Sequence, residues 1–273
     1  MYTYDLQIAG VRIRIPAPRE IQFPESFQPF LTPVQGNADI TMEVIFGNSN
    51  VLHGERDRLE RITRSPDRDD IIRVTPAGRI NTYRLGVPEQ LGNSVNKNGN
   101  WLLFMALEQM LLPFHRVILH ASAVIHGGKA YVFAAPSGTG KSTQADIWHR
   151  EFGAEIINGD KVILSVENGT VTAWGSPTAG SSGIYKNICA PVAAIVLLEQ
   201  GAQNEIHPAN NSSGYLRLYS GLVKQPNDPV FNQSLLTYIE AIMETIPILR
   251  LSCLPNREAA QCVLNWMQVN TGR

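Results

Sequence analysis

Ala135-Pro-Ser-Gly-Thr-Gly-Lys-Ser142 is one position short of the phosphate-loop pattern G-x-x-x-x-G-K-[ST], with Ala135 where the first glycine would stand. A loop of this kind turns consecutive backbone N–H groups inward around phosphate oxygens, places its lysine by the β and γ groups and offers the following hydroxyl to Mg²⁺. The pattern counts only where a strand leads in and a helix leads out. Ala130-Tyr-Val-Phe-Ala134 is a short apolar run with β-branched and aromatic residues, and residues 142–152 lack Gly and Pro and stop at Gly153. The start of that helix directs its positive dipole end at the phosphates. Pro136, Ser137, Gly138, Thr139, Gly140, Lys141, Ser142 and Thr143 are therefore the candidate nucleotide-binding residues. A nucleoside triphosphate is the implied ligand.

What precedes the loop narrows the architecture. Ile118-Leu-His-Ala-Ser-Ala-Val-Ile125 reads as a strand, His126-Gly-Gly-Lys129 as a tight turn, and the loop-bearing strand follows at once. That is a β-hairpin. In a βαβ unit a crossover helix separates parallel neighbours, so the hairpin argues against an adenylate-kinase or GTPase arrangement.

Four segments carry a further likeness: Leu119-His-Ala-Ser-Ala123, Pro136 to Thr143, Ile156-Ile-Asn-Gly-Asp160, and Gly175-Ser-Pro177 ahead of Pro191-Val-Ala-Ala-Ile-Val-Leu-Leu-Glu-Gln200. In this order they resemble the C-terminal catalytic domain of HPr kinase/phosphorylase, whose clan also includes ATP-dependent phosphoenolpyruvate carboxykinase. The resemblance spans roughly residues 100–270. It implies an α/β fold, a P-loop kinase domain of the HPr kinase/PEP carboxykinase type with a mixed sheet, that uses ATP and Mg²⁺. No Arg-rich dicarboxylate site is evident, which disfavours carboxykinase chemistry.

Residues 1–97 read as a small β-rich N-terminal domain and 98–273 as the catalytic domain. Tyr2 to Ile8, Val11 to Ile15, Ala38 to Ile45 and Ile71 to Val74 show short-strand patterning with turn residues between them. Gly54 to Asp70 mixes charges of both signs densely, as suits a solvated loop or a strand pair with laced charges. Leu91 to Asn100, polar and rich in Asn and Gly, is the expected linker. Trp101 to Leu112 is an apolar helix stopped by Pro113 and expected to pack beneath the second sheet. Asn256 reads as the N-cap of a closing helix.

The formal charge of −1 and the pI near 6.6 give no global basic field, so no nucleic-acid partner is expected. Cys189, Cys253 and Cys262 are odd in number and lack metal-ligand spacing, which fits reduced thiols in the cytoplasm. No apolar window approaches the length of a membrane span, and no secretory signal is read at the N-terminus. Homo-oligomerisation is left open.

Asp160 stands at the end of a short apolar strand behind the loop helix, where a carboxylate can hold Mg²⁺ directly or through water. An ordinary Asn-Gly turn is the alternative. Ser142 and Asp160 are thus the candidate metal ligands. The resemblance has two adjacent acids here, for metal binding and for activating the acceptor hydroxyl; this chain has Gly159 in the first place. His120, on the strand beside the loop strand, matches an active-site histidine of the family, and a satisfied core histidine is the alternative. His126, in the hairpin turn, is expected to be exposed. Gly175 to Asn187 is a small-residue loop able to close over substrate, with Lys186 a candidate to neutralise phosphoryl charge and Lys161 a second cation. Similar proteins carry a basic residue mid-loop, where Ser181 and Ser182 stand here. Catalytic candidates are Asp160, His120, Lys141 and Lys186. The expected activity is ATP- and Mg²⁺-dependent transfer to a hydroxyl, the serine of a protein or peptide acceptor being implied by the resemblance. A nucleotide-binding scaffold without transfer, and a kinase of a small hydroxyl metabolite such as free serine, remain the alternatives.

Overall fold

Two tight hairpins, one near each unit's start, seed the two mixed sheets of this α/β chain. The structure is a computed structural model, and it describes residues 1–47, 61–65, 68–76, 81–88, 101–178, 180–225 and 228–271. Contacts divide the chain into one unit of Met1–Phe114 with Pro226–Asp228, and another of His115–Gln225 with Pro229–Arg273. The expected linker, and the expected boundary between residues 97 and 98, lie outside the described residues.

In the first unit β1 (Tyr2–Ile8) turns through Ala9 and Gly10, both with positive φ (49° and 78°), into β2 (Val11–Ala17). A two-residue turn of that handedness matches the twist of the strands it joins. Val11, Ile13, Ile15 and Ala17 are buried and the residues between them are not, the two-residue period of a sheet with one covered face. The sheet has seven strands, adding β3 (Leu31–Thr32), β4 (Ile40–Gly47), β5 (Arg61–Ser65), β6 (Arg68–Pro76) and β7 (Thr82–Pro88) in the order β3-β1-β2-β4-β7-β6-β5. β2–β4 and β4–β7 are parallel. Buried Asp5 accepts two 2.9 Å hydrogen bonds from the guanidinium of Arg14, which hold its carboxyl below the usual range. Within the charge-dense stretch, β5 and β6 form an antiparallel pair; residues 54–60 and 66–67 lie outside the description. The helix α1 (Trp101–Leu111), expected to underlie the second sheet, groups with the first unit.

In the second unit β8 (Arg116–His126) turns through Gly127 and Gly128 into β9 (Lys129–Ala134), the hairpin read from the sequence. Then come α2 (Lys141–Phe152), β10 (Glu155–Asn158), β11 (Lys161–Glu167), β12 (Thr170–Trp174), β13 (Cys189–Gln200), β14 (Glu205–Pro208), α3 (Ser212–Gly221), α4 (Pro229–Thr245), β15 (Ile248–Cys253) and α5 (Arg257–Thr271). β8 and β13 are long enough to serve two neighbourhoods each. β8 pairs β11 through residues 116–120 and β9 through 121–126; β13 pairs β12 through 189–191 and β9 from 192 onward. With β11–β12, these ladders close a circuit β8-β11-β12-β13-β9.

α2 ends where Gly153 takes a left-handed φ of 64° and the N–H groups of Gly153 and Ala154 reach back to the carbonyls of His149 and Trp148. Asn256 caps α5, its Oδ1 accepting from Ala259 N at 3.1 Å. Trp148 anchors the core: it is fully buried, with ring centroids of Tyr131, Phe133 and Phe152 at 4.5, 5.7 and 6.0 Å. His126 is part-buried rather than exposed, its ring edge-on to Trp148 at 5.8 Å. Trp148→Ala should therefore cost about 3–5 kcal/mol in urea unfolding of the full chain; a loss under about 1 kcal/mol would show that α2 is not fixed by this contact.

Candidate functional site

The loop between β9 and α2 owes its shape to two glycines. Gly138 (φ 78°) and Gly140 (φ 111°) sit in backbone conformations that L side chains rarely adopt, while a Cβ at either would meet nothing within 4 Å. Conformation, then, and not crowding, asks for glycine there. Thr139 N donates to Pro136 O at 3.3 Å, and α2 opens with Gln144 N on Gly140 O at 2.9 Å. Gly140 is the N-cap and no side chain caps the helix, so its first turn presents main-chain donors to the space in front of it. Buried Ser122 ties that turn to β8, donating to Lys141 O at 2.8 Å.

Lys141 is nearly enclosed, and its Nζ folds onto the loop carbonyls of Ala135 (2.9 Å) and Pro136 (3.2 Å). Burial pulls its pKa below the ordinary lysine value, with Lys161 acting in the same direction and Asp160 opposing both.

Opposite the loop, the strand pairing of β8 decides what faces it. Lys161 pairs with His120, and Asp160 O accepts from Ala121 N at 2.9 Å, so Asn158 to Lys161 run alongside β8 without leaving the sheet. The Asn-Gly dipeptide is not a hairpin turn here. Asn158, wholly buried, fixes the segment: its Oδ1 accepts from Asp160 N (2.8 Å) and Lys161 N (2.9 Å), and its Nδ2 donates to the carbonyls of Ser176 (3.0 Å) and Thr178 (2.9 Å). Ser176, also buried, donates to Lys161 O at 2.7 Å. Both lie in segments that carry the resemblance, yet neither is given a role there; for Asn158 a polar side chain interrupting an apolar strand is the available signal.

Asp160 Oδ1 lies 3.3 Å from His120 Nδ1, and Oδ2 takes a 2.8 Å hydrogen bond from Lys161 Nζ. Half-buried His120 has its pKa lowered, first by desolvation and then by Lys141; Asp160 pulls upward and Lys161 downward. Ser142 Oγ reaches toward Gly159 O at 3.4 Å. His120, Lys141, Ser142, Gly159 and Asp160 join the loop residues Ser137, Gly138, Gly140 and Thr143 around one cavity of about 260 Å³. A second cavity, about 330 Å³, shares Gly138, Gly140 and Thr143 and extends to Gln144, Gln200, Cys253, Leu254 and Pro255.

The loop from Gly175 to Asn187 folds against this strip. Its neck is tight, with Gly175 N on Ile188 O at 3.0 Å and a Cβ at 175 only 1.7 Å from Lys186 O. At its tip, a Cβ on Gly180 would lie 2.5 Å from Asp160 Cβ, and a Cβ on Gly159 would lie 2.1 Å from Ser182 Oγ. The hydroxyl of Ser182 thus stands where a side chain at position 159 would begin. Exposed Lys186 is not brought to the cavity; its Nζ pairs with Glu155 at 2.8 Å.

Among the described residues no group of three or more His, Cys, Asp or Glu could hold a metal. Ser142 and Asp160 supply one hydroxyl and one carboxylate, the donor set of a Mg²⁺ ion that takes its remaining oxygens from phosphate and water. Cys189, Cys253 and Cys262 are free thiols, and no described helix is long and apolar enough to cross a membrane.

No protein-family model matches this sequence, and no curated protein does. Among solved structures, the chain is similar to the Hpr(Ser) kinase/phosphatase from Coxiella burnetii, at 10% identity and a TM-score of 0.34, over 57% of this chain and 94% of that one.

The depressed pKa keeps His120 neutral at pH 7, and its protonation falls below the ordinary value near 6.5. Between the two values the unfolded chain binds the proton that the folded chain refuses, so this residue withdraws stability as pH drops below about 6.5. The NMR titration of His120 should show a midpoint below the free-histidine value, moving lower still in Asp160→Asn; a midpoint above it would contradict this arrangement.

Proposed function

We propose that the chain is an ATP- and Mg²⁺-dependent kinase of P-loop type that passes the γ-phosphate to a hydroxyl, the acceptor being a serine of a protein or a ribosomally made peptide. The supporting observation is that one cavity gathers an uncapped helix start, a nearly enclosed lysine and a carboxylate held between a histidine and a second lysine. Two ammonium groups against one carboxylate leave the cavity positive, as a polyphosphate requires. The serine acceptor rests on the likeness of the sequence motifs.

In this scheme the main-chain N–H groups of the loop and of the first turn of α2 bind the phosphate oxygens. Lys141 leaves the carbonyls of Ala135 and Pro136 for the β and γ oxygens. Ser142 and Asp160 would hold Mg²⁺, which when bound spreads the charge of the transferring group. The acceptor hydroxyl gives its proton to the Asp160–His120 pair, whose imidazole is neutral and so able to receive it. The cavity toward Gln144 and Cys253 takes the nucleoside.

A nucleotide-binding scaffold is the second reading, favoured by the absence of a carboxylate at Gly159 and by the packing of Ser182 over that position. The two differ in turnover. Lys141→Ala should lower transfer from labelled ATP to a peptide acceptor by on the order of 100-fold or more, and an unchanged rate would refute the kinase scheme. ATP should also bind more tightly than inorganic triphosphate, because only ATP fills the second cavity; equal affinities would remove the nucleoside from that place.

A further inference from the structure

A serine hydroxyl of the chain itself is packed against the backbone of Gly159, one of the residues that line the proposed transfer site. Ser182 Oγ lies 2.1 Å from where a Cβ of Gly159 would be, and Gly159 lines the same cavity as Lys141, Ser142 and Asp160. Two residues before it, Gly180 packs against the Asp160 side chain, a Cβ there falling 2.7 Å from the carboxyl carbon. The tip of the loop is therefore stacked along Gly159–Asp160, with a primary alcohol at its end. Its tether is short and its neck is pinned at Gly175, so the alcohol is held near the strip at high effective concentration. Its freedom of approach is local: Gly180 (φ 54°) and Gly183 (φ 64°) bracket Ser182 and can change backbone conformation at little steric cost. Ser182 Oγ accepts a 3.3 Å hydrogen bond from Ile184 N.

We propose that Ser182 is a phosphoryl acceptor within its own chain, an inference that rests on the kinase reading above. In the step, Ser182 Oγ attacks the γ-phosphorus of ATP; the Oγ–P bond forms, the bond from the γ-phosphorus to the β–γ bridging oxygen breaks, and ADP leaves with that electron pair. The hydroxyl proton passes to Asp160. No co-reactant beyond ATP is needed. The phosphoserine carries close to two negative charges at the tip of the loop, beside Asp160 and within the field of Lys161. It also occupies the approach to Gly159 that an external hydroxyl would use, so the modified chain is blocked toward other acceptors.

The test uses the full chain with ATP and Mg²⁺ and no added acceptor, read by intact mass and by fragmentation of the peptide that contains residues 175–187. The expected result is one phosphoryl group per chain, on Ser182, at a rate independent of protein concentration. Ser182→Ala should remove it, and Lys141→Ala protein mixed with the unaltered chain should stay unmodified. Transfer to a peptide with Ser182 unmodified would overturn this inference and leave the kinase reading standing; nucleotide binding with no transfer to Ser182 or to a peptide would overturn it and favour the scaffold. Phosphate on Ser181 or elsewhere, or on Ser182 of the Lys141→Ala chain, would overturn it as well. No ATP binding at all would bring down both.

Discussion

The hydrogen bonds of one buried side-chain amide hold the site in place. Asn158 receives the N–H groups of Asp160 and Lys161 on its oxygen and gives its two N–H donors to the carbonyls of Ser176 and Thr178. The first pair keeps the strip running along β8 so that Asp160 faces the loop; the second brings the segment after β12 to the same spot. Because Asn158 is fully buried, an apolar replacement would leave several main-chain groups without partners, at about 1–3 kcal/mol each. The carboxylate, the loop tip on Gly180 and the hydroxyl of Ser182 all depend on that amide.

The other half of the site depends on the β8–β9 hairpin. It sets the strand carrying His120 and Ser122 directly beside the strand that feeds the loop, with no intervening helix. Ser122 then ties β8 to the first turn of α2 through Lys141 O. The start of α2 and the histidine are thus both fixed to β8. Lys141 rests on two carbonyls, which take two of its three N–H donors.

Much of this was legible in the chain because it is local. Gly127-Gly128 marked the hairpin, Gly153 the end of α2, Asn256 the start of α5, and Gly140-Lys141-Ser142 the loop. Backbone conformations that only glycine takes easily, and caps that only short polar side chains supply, leave their mark on sequence. At Asn158 the sequence leaves an ordinary Asn-Gly turn open as the alternative, and it is the ladder with β8 on both sides of the dipeptide that excludes a hairpin there. The partner of Lys186, Glu155, is 31 residues away and could not be foreseen. The same holds for Ser182, whose contact with Gly159 exists only because the loop neck closes between Gly175 and Lys186. Two small residues far apart in sequence say nothing of each other until the chain has folded.

In the proposed kinase the loop holds a triphosphate against Asp160. The most direct measurement is a crystal structure of the full chain with Mg²⁺ and a non-hydrolysable ATP analogue. Phosphate oxygens should lie within hydrogen-bonding distance of the N–H groups from Gly138 to Thr143, with Lys141 Nζ moved off the carbonyls of Ala135 and Pro136 and the metal between Ser142 Oγ and Asp160. A triphosphate bound elsewhere, or one on the loop with Lys141 still on those carbonyls, would contradict it.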